Sequence, residues 1–442
     1  MQANNNERTR GIFARATRAA FGALTLFAAM CTEAGAQGVI FRGMGAVNES
    51  MGGAGIAAPL DSMGAIYTNP AALVDLPSNE VSFGLGGLMP ASSVSSSYVG
   101  PAAAAYGERY GKTDSKRETY YTPSFSVARH VGKWTFGVST GAIGGASARY
   151  TPSGDGTNPI LGTYGKSSKV KVIELMPTAA YKYNDIISVG VTGVVGCFAL
   201  AVDPMPFDRL PAEPDGPLYH SRTDYTFGGG ANAGIFLNLG KYLPGFKTGF
   251  VVKSPVVAEP FRFSGASTPD STGYYRETNF RFALPLVLGW GASYTPHKDW
   301  LLALDVRYFD YANTPGFKPA NVIDGQGRVA GLGWDSVLSV AVGVQFSVTD
   351  DIKLRAGYCW SENPIPGEVQ FANVVAPLFI QHVASLGLSY TIAATNTDIV
   401  LGYSHAFRNS MDGTAKSGPG ASFHVKNTVS AETFFLGLTQ RF

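Results

Sequence analysis

The sequence predicts an all-β fold: a 14-stranded antiparallel transmembrane β-barrel with an N-terminal plug inside its lumen. Three observations carry that expectation. The first is composition: charged residues make up 15% of the 442, against about 25% in soluble domains, while 54 residues are Gly, 27 are Phe and 21 are Tyr. Mean hydropathy is only +0.05. A bundle of membrane helices would be far more apolar, whereas a barrel wall turns one residue in two to lipid and the next to water, so the average cancels. The second is a period-two alternation of apolar with small or polar residues over most of the chain. The third is the sorting of the connections into alternating long and short ones. Together these exclude a soluble helical protein, a disordered chain and a helical transporter.

From the N-terminus, residues 1–36 read as a secretory signal. Arg8, Arg10, Arg15 and Arg18 make a cationic start, Ala19–Met30 is an apolar run, and Ala34-Gly35-Ala36 is a small-x-small cleavage site. A membrane anchor would need about 20 apolar residues, more than this run supplies. Cys31 raises a lipoprotein alternative, but Ala28-Ala29-Met30 ahead of it makes a poor lipobox. Cleavage after Ala36 removes four Arg and two acids and leaves 30 basic and 30 acidic side chains. That balance carries no electrostatic footprint for nucleic acid. Cys197 and Cys359 remain, each mid-strand and without a CxxC or Cys/His cluster, so unpaired thiols are expected.

Residues 37–79 do not alternate. They are rich in Gly and Ala, with Phe41-Arg42-Gly43-Met44-Gly45-Ala46, Met51-Gly52-Gly53-Ala54-Gly55 and Asn69-Pro70-Ala71-Ala72-Leu73. A fourteen-stranded barrel encloses space that conducts water or holds a plug. Small residues and turn formers let this segment fold compactly inside such a space.

The barrel occupies 80–442. Fourteen alternating segments start near Val81, Pro123, Trp134, Val170, Ile187, Tyr225, Thr248, Phe280, Trp300, Val337, Ile352, Gln381, Ile399 and Thr428. In the segment at Val337, for example, Leu338, Val340, Val342 and Val344 oppose Ser339, Ala341 and Gly343. Long polar linkers at 90–120, 151–168, 204–224, 262–278, 311–334, 361–377 and 408–427 alternate with short ones at 129–133, 183–186, 240–245, 295–299, 349–351 and 394–397. Long loops at one end, tight turns at the other and an even strand count are the pattern of a transmembrane barrel. A soluble sandwich has no reason to sort its loops this way. Phe434, Leu436, Leu438 and Phe442 share one face of the last segment, with Gln440 as the exception. That resembles the terminal strand signal read by the barrel-assembly machinery, so this machinery is an expected partner through the strand ending at Phe442.

Several short motifs then point one way. The stretch Gly43–Leu73 with Asn69-Pro70-Ala71, the run Lys253-Ser254-Pro255-Val256, the pair Leu354-Arg355-Ala356-Gly357-Tyr358 and Asn363-Pro364-Ile365-Pro366, and Trp300–Tyr308 with Asp305 occur in this order. As a set they resemble the FadL family of outer-membrane transporters for long-chain fatty acids and aromatic hydrocarbons. The resemblance covers 37–442. It implies that 37–79 is a hatch, with Gly43, Asn69, Pro70 and Ala71 as gate residues, and that hydrophobic small molecules pass by hatch-gated diffusion without a cofactor. It further implies a monomer among the outer-membrane lipid of a Gram-negative bacterium. The third strand of such proteins carries an inward kink used for lateral exit, and here that strand holds Gly141, Gly144 and Gly145.

Parity turns Lys353, Arg355 and Arg307 towards the lumen. They either pair with lumen acids such as Asp305 or hold a fatty-acid carboxylate, for which an Arg fork is well shaped. Arg42 in the hatch is a further candidate. Other motifs carry less. Gly137-Val138-Ser139-Thr140-Gly141 fits a nucleophile elbow, but strand residues flank both sides where a helix must follow. Gly53-Ala54-Gly55-Ile56-Ala57-Ala58 fits a loose dinucleotide fingerprint, with no strand before it and Pro59 after it. His130, His220, His297, His382, His405 and His424 lie far apart without metal-ligand spacing, and Glu174 with Asp305 is an ordinary pair of lumen carboxylates. No metal or catalytic set emerges, and the chain reads as a transporter rather than an enzyme. A general diffusion porin for polar solutes is the alternative, and an outer-membrane hydrolase a weaker one.

Overall fold

The computed structural model describes residues 37–151, 158–161, 165–203, 223–265, 276–318, 331–416 and 422–442. The leader expected at 1–36 lies outside them, as does His220. Among the described residues nineteen strand segments run in chain order as β1 (Glu80–Tyr98), β2 (Tyr110–Asp114), β3 (Tyr120–Val131), β4 (Trp134–Tyr150), β5 (Lys166–Lys182), β6 (Ile187–Asp203), β7 (Asp224–Asn238), β8 (Phe246–Lys253), β9 (Val256–Ala258), β10 (Phe261–Gly265), β11 (Arg276–Phe280), β12 (Ala283–Leu284), β13 (Val287–His297), β14 (Trp300–Phe309), β15 (Val337–Ser347), β16 (Ile352–Ser361), β17 (His382–Ile392), β18 (Thr397–Lys416) and β19 (Ser422–Arg441). Neighbours along the wall are antiparallel, and β1 pairs with β19 from Glu80↔Arg441 to Tyr98↔Phe423, which closes the sheet.

The closed wall has fourteen strands. The segments β8 and β9 form one of them, interrupted at Ser254-Pro255, and β12 with β13 forms the next, interrupted at Pro285. Proline has no N–H to give the ladder, so each interruption falls where pairing must lapse. The hairpin β10–β11 stands apart as its own two-stranded sheet, and β2 adds to the far end of β1.

Two expectations shift. The segment placed at Phe280 begins its wall pairing later, at Ala283, because Phe280 ends β11, and Pro285 interrupts the ladder until Val287. The linker placed at 408–427 is largely strand, since β18 runs to Lys416 and β19 starts at Ser422. Exposed polar residues such as His424 and Lys426, alternating with buried Phe423 and Val425, reverse the parity of a lipid-facing wall and hid the strand. Strands that rise beyond the hydrocarbon keep their backbone pairing while both faces tolerate polar side chains.

The alternation follows the expected parity. On β14, Leu302 and Tyr308 face outward while Ala303, Asp305 and Arg307 are buried inside. On β19, Phe434, Leu436 and Leu438 lie on the outer face together with Phe442. Every backbone N–H and C=O in hydrocarbon needs an internal partner, which a closed ladder supplies.

One stretch of that ladder is broken. Strands β3 and β4 pair from Val131↔Trp134 only as far as Ser124↔Gly141, while β4 continues along β5 through a register shift between Ala142 and Gly144. The extra residue kinks β4. Beyond the kink, the edge that β4 turns away from β5 is met by the N-terminal segment, through the antiparallel bridge Ile40↔Gly144.

Candidate functional site

Residues 37–79 form a hatch of two short helices, α1 (Gly45–Ser50) and α2 (Ser62–Thr68), followed by a 3-10 turn at Pro70–Asp75. Asp61 caps α2, its carboxylate accepting from the Gly64 N–H at 2.8 Å, which satisfies one of the orphan donors of a helix start. Burial, with Glu80 alongside, pushes Asp61 up to about 7. The Asn69 side-chain oxygen accepts from the Ala71 N–H at 3.1 Å, and its NH2 donates to the Ile56 and Ile235 carbonyls at 3.0 and 3.1 Å. Asn69-Pro70-Ala71 thus ties the last turn both to the hatch loop and to β7. At Gly43 a Cβ would run into Asn48, whose side chain accepts from the Met44 N–H at 3.2 Å.

The wall is carved to seat this hatch. A Cβ at Gly190 would lie 2.5 Å from Ala71 N, at Gly343 2.7 Å from Met51 O, and at Gly141 2.6 Å from Met44 Cε. At Gly357 and Gly387 it would collide with Gly52 and Ser50. Strand glycine weakens a sheet but lets another backbone come close. The glycine excess of the sequence therefore marks the hatch seat around the wall.

Buried polar contacts lock the seat. Asp305, on β14, accepts from the Gly55 N–H at 2.9 Å and the Ile56 N–H at 3.1 Å, and from Arg307 at 2.8 Å. Arg307 also donates to the Arg42 carbonyl at 2.6 Å and to the Gly53 carbonyl. At the barrel seam, Glu80 accepts from the Ser62 N–H, and the Ser62 and Ser126 hydroxyls are 2.8 Å apart.

The expected carboxylate binders separate on this geometry. Arg307 is committed to Asp305 and the hatch backbone. Arg355 donates to Gln345 at 2.8 Å and to Ser389, and neither it nor Arg307 lines the apolar cavity that lies against residues 37–42. Arg42 does line it, while pairing with Glu49 at 2.6 Å and donating to Ser404 at 2.8 Å. Its buried Nε has no hydrogen-bond partner among the described residues.

That cavity has a volume of about 490 Å³ and is mostly apolar. Its floor is the segment 37–42, its inner wall includes Val383, Ala406 and Val429, and it reaches out past Tyr121 on β3 and Ile173 on β5. Tyr121 and Ile173 are exposed on the outer face, so the cavity passes through the gap where the β3–β4 ladder stops. The segment 37–41 is a strap across its inner side. The Phe41 N–H donates to the Ile143 carbonyl at 2.8 Å and the Gly145 N–H to the Val39 carbonyl at 3.1 Å. Tyr311 and Tyr67 donate to the Gln37 and Phe41 carbonyls at 2.8 and 2.6 Å. A Cβ at Gly144 would lie 2.6 Å from Val39 O. Gly144 is therefore the docking point of the strap, and the opening lies beside it.

The remaining motifs are structural. Ser139 is fully buried and donates to the Phe125 carbonyl at 3.1 Å. In the run Gly53–Ala58 the Gly55 and Ile56 N–H groups donate to Asp305, while those of Gly53, Ala54 and Ala58 donate to backbone carbonyls. His130 meets Thr135 at 2.8 Å, His405 meets Glu432 at 2.8 Å, and His382 meets Tyr358. Among the described residues no three His, Cys, Asp or Glu side chains group as a metal site. Cys197 and Cys359 are free, and Glu174 is a buried inward carboxylate. Sequence reasoning missed Glu80 and the strap. An acid opening a barrel strand, in phase with Ser82 and Gly84 on the lumen face, was the available signal for Glu80.

A closed fourteen-strand barrel with an apolar outer face, a filled lumen and an apolar cavity defines an outer-membrane transport barrel. The chain belongs to the family described as outer membrane protein transport protein (OMPP1/FadL/TodX), whose model matches residues 25–197 and 216–442. That family consists of transporters, not enzymes. Solved structures with the same fold include a Pseudomonas aeruginosa FadL homologue, at TM-score 0.72 and 14% identity over 92% of this chain and 100% of that one. The P. putida toluene transporter TodX is similar at TM-score 0.62 and 14% identity over 91% and 99%. The Ralstonia pickettii toluene transporter TbuX is similar at TM-score 0.60 and 16% identity over 91% and 99%. No curated protein matches the sequence.

Proposed function

We propose that the chain passes small hydrophobic molecules, fatty acids or hydrocarbons such as the toluene named for its structural relatives, through the cavity and sideways out of the wall. Passage is passive. An apolar solute released into water would lose its burial, at about 25 cal/mol per Å² of surface, whereas leaving through the β3–β4 gap keeps it in apolar surroundings. The moving part in this reading is the strap 37–41, held mainly by a few exchangeable backbone and tyrosine hydrogen bonds. The hatch body, with Gly43, Asn69, Pro70 and Ala71, stays on its seat and excludes ions. The observation that carries the reading is the cavity crossing the wall where the ladder stops. Gly141 ends the ladder, Gly144 docks the strap, and Gly145 leaves the lip of the gap bare.

A general diffusion porin would need an open lumen, and steady planar-bilayer currents of porin size would favour it. The test of the lateral path is Ala142→Trp, which places an indole in the mouth of the gap. Uptake of a labelled hydrocarbon or fatty acid into cells should fall at least tenfold, with heat-modifiable mobility unchanged. Normal uptake by a folded Ala142→Trp protein would remove the lateral route.

A further inference from the structure

The outer rim of the gap carries a second surface. On β5 the outward residues change from Leu175 and Ile173 to Lys171 and Lys169, and all four are exposed. The residues paired across from the two lysines are small: Gly145 and Ser147 on β4, Ala199 and Ala201 on β6. No side chain there covers the lysines. One step further along β4, exposed Arg149 faces Ser167, and its carbonyl accepts from the N–H of exposed Lys116 at 2.9 Å. None of these four cations makes an ion pair with another described residue. The nearby acid Glu118 accepts from Tyr120 at 3.0 Å.

A lipid-facing charge is costly at the bilayer midplane and cheap near the interface. The step from Ile173 to Lys171 therefore marks where hydrocarbon gives way to headgroups, beside the cavity mouth that Lys169, Lys171 and Ile173 all line. Adjacent outward positions on a strand are about 7 Å apart, so both ammonium groups can reach one anionic headgroup.

We propose that this ledge binds the phosphorylated headgroup of an outer-leaflet lipid, whose acyl chains lie over Ile173 and cover the mouth of the gap. The proposal rests on the lateral-path reading for its role: a bound acyl chain keeps water from the cavity, and a departing substrate displaces it. Charge complementarity selects the occupant. A zwitterionic or neutral lipid brings no net charge to four cations that pair with no described residue, and a protein partner would have to sit within the bilayer boundary.

The test uses the full-length protein in detergent with fluorescent diphosphorylated lipid A, enzymatically dephosphorylated lipid A and inorganic phosphate as competing probes. Each basic residue near an anionic surface is worth about fivefold in affinity, so Lys169→Gln and Lys171→Gln singly should each weaken lipid A binding about fivefold. The pair together should weaken it about 20- to 30-fold. The paired Arg replacements should restore it, and dephosphorylated lipid should bind like the Gln pair. Heat-modifiable mobility verifies folding of each variant. Binding of the Gln pair within twofold of the parent, or equal binding of both lipids, would overturn the proposal. Full displacement by inorganic phosphate at the same concentration as lipid would reveal an anion site without lipid selectivity and would overturn it too. These outcomes are separable from the path itself: Ala142→Trp tests the route without touching the lysines, and the Gln pair tests the ledge without narrowing the route.

Discussion

Replacing Asp305 by Ala should loosen the hatch more than any other single change in the lumen. Asp305 is 1% exposed, and its carboxylate is the acceptor for two hatch N–H groups, those of Gly55 and Ile56, and the counter-charge of Arg307. Removing one partner of a buried ion pair costs about 3–5 kcal/mol, because the other charge is left uncompensated. The two orphaned N–H groups, at about 1–3 kcal/mol each, are part of the same loss rather than an addition to it. Arg307 keeps the Arg42 and Gly53 carbonyls, which places the expected loss at the low end, about 3 kcal/mol. At a decade per 1.4 kcal/mol, local opening of the loop 53–56 should become roughly 100-fold more frequent. Amide hydrogen exchange at Gly55 and Ile56, in protein that retains heat-modifiable mobility, reads this directly. Exchange within threefold of the parent would refute the reasoning and make the Asp305–Arg307 pair a property of the wall alone.

Three further outcomes are expected. Deleting residues 37–78 should leave a folded barrel, since the pairing of wall strand with wall strand does not use them, but should open it to ions in planar bilayers; a truncated protein as silent as the parent would show that they are not a plug. Arg42→Ala should weaken binding of a fatty acid by about 1.5–3 kcal/mol, the worth of a charge-assisted hydrogen bond, and leave its methyl ester unchanged, while Arg355→Ala leaves the ratio of acid to ester binding untouched; equal losses of acid and ester in the Arg42 variant would make that residue structural. Asp61 sits at about 7 in the folded hatch against an ordinary 3.8; the folded state therefore binds a proton that the unfolded state gives up, so its contribution is full below about pH 4 and fades as pH rises through 7. Protection of the Gly64 amide relative to its free-peptide exchange rate at each pH should fall across that window, and Asp61→Asn should flatten that profile; an unchanged slope of protection in Asp61→Asn would assign the pH dependence elsewhere.

The wall was legible because lipid imposes strict parity. Leu302 and Tyr308 must face out if Asp305 and Arg307 face in, and one misplaced charge would break the pattern. The turns were equally plain, since Gly132 and Gly245 adopt positive φ at the short connections. Legibility failed where lipid stops acting. At the far ends of β18 and β19 the parity is reversed, with Phe423 and Val425 buried and His424 and Lys426 exposed, so the lipid-facing pattern did not extend to them. The pairing of Arg307 with Asp305 was one of the two readings open in the sequence, but its contact with the Gly53 carbonyl and that of Arg355 with Ser389 come from distant chain and were not legible. A lone inward Arg in a sequence does not say whether its fork is already occupied. The glycines were visible as an excess, yet their meaning needed the hatch against them, as at Gly190 beneath Ala71. The kinked third wall strand was anticipated from Gly141, Gly144 and Gly145, but not the strap that docks on it, because 37–41 has too few residues to show a period.

The central claim is that substrate passes while the hatch body stays seated. Ser62 on α2 and Ser126 on β3 have hydroxyls 2.8 Å apart, so Ser62→Cys with Ser126→Cys places two thiols where a disulfide would tether the hatch to the wall. Uptake of a labelled hydrophobic substrate by cells carrying the oxidised double variant, against the same cells after reduction, is the direct measurement. Equal uptake in both states is the predicted result. Uptake that is lost on oxidation and returns on reduction would contradict the account and make the hatch body itself the gate.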